Sequence, residues 1–266
     1  MEDKILFTID AENIARLTFN RPHVHNAFDK EMIQKLIENF QYLHKTPSAR
    51  ALVIQGKGKS FCSGVDITWM NKAFLLPIED NIKEVQELAL MMNLLDTLPI
   101  PTIAYVHGAV RGGGMGFLAC SDIVLAHSET IFSFSETKLG IVPAVIAPYV
   151  IRTMGSRQCR RYFLTGETFG TSSAYHIHLI HEILKSEAID AEIETYLRHI
   201  LTGGPQAIRL AKNLIQNITG DVSPTILKTT TELLANSRLS PEGRQGITSF
   251  IEKRTPPWIL ERFQDD

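Results

Sequence analysis

The chain has 266 residues, 44% apolar and 21% charged, with a formal net charge of −2, which suits one large domain or a domain with an appendage. That balance gives no electrostatic case for nucleic acid or an anionic membrane, and no apolar run approaches the roughly 20 residues of a bilayer-spanning helix. Cys62, Cys120 and Cys159 are widely spaced and odd in number, a pattern of free thiols in a reducing compartment. The opening MEDKILFTID lacks the marks of a secretion signal, so the expected location is cytoplasmic.

In chain order, ILFTID (5–10) and IARLTF (14–19) are two apolar-rich runs parted by AEN, the pattern of a β-hairpin. From Asp29, a fitting N-cap, Met32, Ile33, Leu36, Ile37 and Phe40 recur at helical spacing. ALVIQG (51–56) reads as a buried strand, followed by the loop KGKSFCSGVD and a short helix DITWMNKA. Residues 79–96 read as a helix, Pro99 and Pro101 punctuate, and TIAYVHG (102–108) reads as a strand. A glycine run, GAVRGGGMGF, then opens a short helix before the strand DIVLAH (122–127). This alternation predicts an α/β arrangement of parallel strands, with sites where strands end. After about residue 185 the pattern turns helical: 186–201, 205–218, 224–236 and 242–253. Ser223-Pro224 and Ser240-Pro241 fit helix starts with Ser as N-cap and Pro at N1. The tail PPWILERFQDD carries Trp258, Ile259, Leu260 and Phe263, an apolar end expected to dock on a neighbouring domain or subunit.

Several familiar patterns fail. GKGKS (56–60) lacks the first glycine of a P-loop, since that position is Val53, and the third glycine of a dinucleotide fingerprint would fall at Phe117. His176, His178 and His181 do not share one helical face and sit in no recognised zinc pattern, so no metal is expected. No serine lies in a G-x-S-x-G elbow. His23 and His25 flank Val24 in a loop, as ligand contacts or as plain surface. The glycine run has a different use: amides at a helix start are unpaired, and without Cβ atoms a ligand oxygen can approach them. FCSGVD (61–66) has the same design. Two such loops, each giving one N–H, would make an oxyanion hole; either alone could be a tight packing turn. Glu136, in FSFSETKLGIVP (132–143), is the nearby acid, or a capping-box partner of Ser133.

The ordered motifs NRP…NAF (20–28), FCSGVDI (61–67), HGAVRGGGMGFLACSDI (107–123) and FSFSETKLGIVP resemble the crotonase or enoyl-CoA hydratase superfamily. The likeness continues through RQCRRYFLTGETF (157–169), HLIHEIL (178–184) and EGRQGITSFIEKR (242–254). It implies a β-β-α spiral core over residues 1–190 and a helical oligomerisation region over 191–266, assembled as a homotrimer or a dimer of trimers. The implied substrate is an acyl-CoA thioester, with CoA part of the substrate and no separate cofactor. Position by position, the resemblance implies that the Val65 and Gly113 amides bind the thioester oxygen and that Glu136 is catalytic. Ser63, Asp66 and Ile67 match the loop around the adenine end of CoA. Val24 matches the other CoA-contacting loop, although a lysine common there is His23 in this chain.

One expected acid is missing. The second glutamate of the hydratases would fall at Gly116. A single carboxyl group suits a 1,3-proton shift, as in the isomerases of the superfamily. DITWMNKA and VPAVIAPYVIRTMG (142–155), however, resemble bacterial 3-methylglutaconyl-CoA hydratases of leucine breakdown, which share that glycine. The sequence reading is therefore a hydratase working through Glu136 alone, with an enoyl-CoA isomerase or a non-catalytic acyl-CoA binder as alternatives. A distal substrate carboxylate would need a cation, for which Lys72, Arg111 and Arg152 are candidates by their place near the site loops.

Overall fold

The apolar runs at the start of the chain form a hairpin: β1 (Ile5–Ile9) pairs antiparallel with β2 (Ile14–Phe19), Ile5 opposite Phe19. Asp10 builds the turn, its carboxylate accepting from the amides of Glu12 and Ile14. The computed structural model describes residues 3–72, 75–218, 224–260 and 262. Helix α1 (Lys30–His44) is capped by Asp29, which accepts from the Met32 amide, and it buries the stripe Met32, Ile33, Leu36, Ile37 and Phe40.

Strand β3 (Ala51–Gly56) lies parallel to β2, and its first four residues are all buried, as a sheet covered on both faces requires. Two helices follow, α2 (Ile67–Lys72) and α3 (Ile78–Asp96), before β4 (Thr102–Val106) returns parallel to β3. The chain continues through β5 (Ala109–Arg111), α4 (Gly113–Cys120), β6 (Ile123–His127) and β7 (Ile131–Ser133). It then forms α5 (Ala147–Thr165), β8 (Thr168–Gly170), α6 (Thr171–His176) and β9 (Glu182–Leu184). The larger sheet has the order β1-β2-β3-β4-β6-β9, parallel except for the first pair, and β5, β7 and β8 form a separate sheet. The α/β class is as expected. The second sheet is additional, because three-residue strands carry no readable period.

The chain forms two compact units, one reaching Leu98 and resuming over Thr102–Ile189, the other combining Pro99–Pro101 with the chain from Asp190. The second holds α7 (Ile189–Thr202), α8 (Pro205–Asn217), α9 (Pro224–Leu239) and α10 (Pro241–Glu252). Ser240 caps α10, accepting from the Gly243 amide; Ser223 lies outside the described residues. In the same unit Lys212 donates to the Ile100 carbonyl at 2.9 Å, and Glu242 accepts from the Gln206 and Ala207 amides that open α8.

Two local expectations are corrected. Trp258 finds a partner within its own unit: its indole N–H donates to the Thr202 carbonyl at 3.2 Å, and its ring covers Gly246. The absent Cβ at Gly246 makes that docking possible; Phe263 lies outside the described residues. Ser133 and Glu136 form no capping box, because Ser133 ends β7 and Ser135, without a side-chain hydrogen bond, precedes the 3-10 turn Glu136–Leu139.

Candidate active site

The loop after β3 is stitched to the segment before α1. In the parallel bridge between Phe28 and Val65, Phe28 donates to the Gly64 carbonyl at 2.9 Å and accepts from the Asp66 amide at 3.0 Å. Both Phe28 main-chain groups thus go to the neighbours of Val65, which turns the Val65 amide to the opposite side. The second amide comes from α4. Gly112, at φ +49 and ψ −123, is its N-cap and spends its own N–H on the Ser133 carbonyl. Gly113 is then the first helical residue, whose N–H has no partner within the helix.

The two loops touch. A Cβ placed on Gly64 would lie 2.8 Å from the Arg111 carbonyl oxygen and 3.3 Å from the Gly113 nitrogen, and Gly64 has φ +92. Only glycine suits that position, on both conformational and spatial grounds. A Cβ on Gly113 would fall 2.5 Å from the Phe28 ring. Phe28 therefore sets both amides, Val65 through its backbone and Gly113 through its ring. Cys62 adds a further brace: its N–H reaches the Ala109 carbonyl at 3.4 Å and its carbonyl accepts from Arg111 at 3.0 Å. The Cys62 sulfur accepts from the Gly64 amide at 3.4 Å and its thiol donates to the Asn26 carbonyl at 3.3 Å. Burial pushes that thiol up to about 12, so it stays protonated and structural.

Glu136 faces the same place. Its Oε1 lies 3.3 Å from where a Cβ on Gly112 would stand, and its Oε2 is buried without a hydrogen-bond partner among the described residues. Burial raises its pKa above the ordinary 4.5. The structure thus brings Glu136 and the loops of Val65 and Gly113 together.

The residues matched to CoA contacts form a neighbouring group. The Ser63 hydroxyl donates to the Val24 carbonyl at 3.3 Å, and the Ser63 amide to that of His25 at 2.9 Å, so the two loops meet. His25 is engaged with the Ser60 hydroxyl at 3.0 Å, His23 is exposed, and Ile67 is 71% exposed. Asp66 is held by Arg21 at 3.0 Å, and Arg21 also reaches Asp29 at 3.3 Å and the Ala27 carbonyl. Burial works to raise the Asp66 pKa, but the Arg21 guanidinium and the Thr68 amide outweigh it and hold the carboxyl below its usual value. Arg21, Asn26 and Phe28 have no role in the sequence reading, although the NRP…NAF stretch contains all three.

Of the three candidate cations, Arg152 is tied to Asp96, whereas Lys72 and Arg111 are exposed. The position of the missing acid is filled: a Cβ on Gly116 would stand 2.6 Å from Ile146 Cγ2 and 2.9 Å from both Met92 Sδ and Cε. Among the histidines, His181 Nδ1 accepts from the Val124 amide and His176 bonds the Ser172 carbonyl. Among the described residues no group of three potential ligands could hold a metal ion, and no helix is long and apolar enough to cross a membrane.

An α/β chain with paired glycine loops against one buried carboxyl group defines a class that comparison with known proteins makes specific. The family described as enoyl-CoA hydratase/isomerase matches residues 10–260. An enoyl-CoA hydratase structure from Shewanella pealeana is 36% identical, with a TM-score of 0.92 and coverage of 96% of each chain. Crotonyl-CoA hydratase of Syntrophomonas wolfei is 25% identical over 250 residues, 93% of this chain and 95% of that protein. The 1,2-epoxyphenylacetyl-CoA isomerase of Escherichia coli is 26% identical over 247 residues, 92% of this chain and 94% of that protein. The chain belongs to the enoyl-CoA hydratase/isomerase family, and its fold is the crotonase fold.

Proposed function

We propose that the protein is an enoyl-CoA hydratase acting on a short, branched enoyl thioester through one carboxyl group. One observation carries the reading: the buried carboxylate oxygen of Glu136, unpartnered among the described residues, lies beside the N-cap of α4, where the loops of Val65 and Gly113 meet. In this reading the two amides donate to the thioester oxygen, and their stabilisation grows as enolate charge develops there. Glu136 takes a proton from a water that attacks Cβ, and the same carboxyl group returns a proton to Cα. Water is added across the double bond and Glu136 ends as it began. A carboxylate pushed above its ordinary pKa is the stronger base for this task. Val24, Ser63, Asp66 and Ile67 would line the CoA path, and assembly as a trimer or a dimer of trimers belongs to the same proposal.

For the acyl group, the DITWMNKA and VPAVIAPYVIRTMG stretches support 3-methylglutaconyl-CoA. Its distal carboxylate requires a cation; with Arg152 engaged by Asp96, that demand falls on Lys72 or Arg111. Equal efficiency on methylglutaconyl-CoA and crotonyl-CoA would remove the case for a dedicated carboxylate pocket.

The single carboxyl group also favours a second reading, an isomerase in which Glu136 removes a proton from C2 of a 3-enoyl thioester and restores one at C4. Absorbance of the conjugated thioester separates the two. Loss with a 2-enoyl-CoA is expected for hydration and gain with a 3-enoyl-CoA for isomerisation. Binding of the panel without either change would leave only a non-catalytic acyl-CoA binder.

A further inference from the structure

Gly112 and Gly116 lie one turn apart at the start of α4, about 6 Å along its axis. The space over Gly112 holds the Glu136 carboxylate, whereas the space over Gly116 holds the Ile146 and Met92 side chains. Met92 is 1% exposed and Ile146 3% exposed; together they seal the helix face just beyond the carboxyl group. Their placement is braced. Met92 and Asp96 are four residues apart on α3, hence on one face, and Asp96 pairs with Arg152 on α5, the helix that Ile146 precedes. A substrate with its reacting carbons at Glu136 whose acyl group extends along α4 meets this wall one turn on.

We infer that Met92 and Ile146 form the stop of the acyl pocket and restrict the enzyme to short acyl groups, with few carbons beyond the reacting double bond. This rests on the roles given above to Val65, Gly113 and Glu136. The wall is apolar and offers no hydrogen bond, so it selects by volume; a methylene more or less in such a pocket changes efficiency by about tenfold or more.

The test compares kcat/KM for straight-chain enoyl-CoA substrates of four, six and eight acyl carbons, in the 2-enoyl or 3-enoyl series that the wild type turns over. Ile146→Ala and Met92→Ala are each expected to raise the six-to-four carbon efficiency ratio by about tenfold. Ile146→Val, which removes one methyl group and preserves the fold, should move it in the same direction by less. Thermal unfolding of each variant establishes that it is folded. Folded, active variants with an unchanged ratio would overturn the inference alone. A wild type inert on both series and on methylglutaconyl-CoA, or a fully active Glu136→Gln enzyme, would overturn the functional reading beneath it.

Discussion

The physical conflict in the site is concentrated in one side chain. Glu136 has a carboxylate oxygen that is buried and unpartnered among the described residues, and its burial favours the protonated acid. Such a group costs stability when ionised, which is the state a general base needs. Because its folded pKa is raised, its stabilising contribution is complete below the unfolded value and is lost as pH rises through the folded one. Glu136→Gln is therefore expected to melt higher than wild type at pH 7–8, with the advantage vanishing near pH 4. The same substitution should lower kcat by about 10²–10⁴ while leaving thioester affinity nearly unchanged. In the wild type, the acidic limb of the pH profile should lie above the ordinary glutamate value of 4.5. Calorimetry and steady-state kinetics across pH test both halves. A variant less stable than wild type at pH 8 would show that the carboxylate has a partner which the geometry omits.

At the scale of elements, the site is a junction of the loop after β3 with the first turn of α4, and its tolerance is set by missing side chains. Gly64→Ala places a methyl group 2.8 Å from the Arg111 carbonyl oxygen in a backbone at φ +92. The loop has to withdraw from α4, moving the Val65 amide away from that of Gly113. The expected loss is about 10²–10³ in kcat, with far-ultraviolet circular dichroism unchanged; a variant with wild-type kcat would mean that the two amides do not act on one oxygen. The capped starts of α1 and α10, the strands β1 to β4 and both glycine loops were legible in the sequence, because caps, periods and glycines are local signals; the 19-residue α5, with no side-chain cap at its start, was not. What locks them was less legible. Phe28 carries no signal of its own in the sequence, yet its backbone pairs with the loop that carries Val65 and its ring supports Gly113. Cys62 is the free thiol expected, and its sulfur has the added work of accepting from the Gly64 amide. Both depend on contacts between segments far apart in sequence, which no period announces. The capping-box reading of Ser133 and Glu136 failed for a related reason: pairing in the second sheet claimed Ser133 as a strand residue.

At the scale of the molecule, one ionic cluster joins the first strand, the segment before α1, the α1 cap and the loop entering α2. Lys4 lies 2.7 Å from Asp29 and 2.6 Å from Glu31, while Arg21 reaches both Asp29 and Asp66. The Arg21 side chain is 11% exposed and that of Asp66 14%, so water screens the pair little. Burial alone would raise the carboxyl pKa values, but Lys4 and the Met32 amide at Asp29, and Arg21 at Asp66, hold both below the ordinary 3.8. A depressed carboxyl pKa contributes stability that is present above the unfolded value and disappears as pH falls through the folded one. Arg21→Gln leaves two carboxylates without their shared cation, a loss of about 2 kcal/mol at neutral pH for hydrogen bonds to charged groups. Unfolding by denaturant should show that deficit undiminished from pH 8 down to about 5, then narrowing below about pH 4 as Asp29 and Asp66 take up protons. Since Asp66 adjoins Val65, the same variant should lose activity at neutral pH while still folded. A deficit that stayed constant down to pH 3 would locate the role of Arg21 in packing rather than in charge.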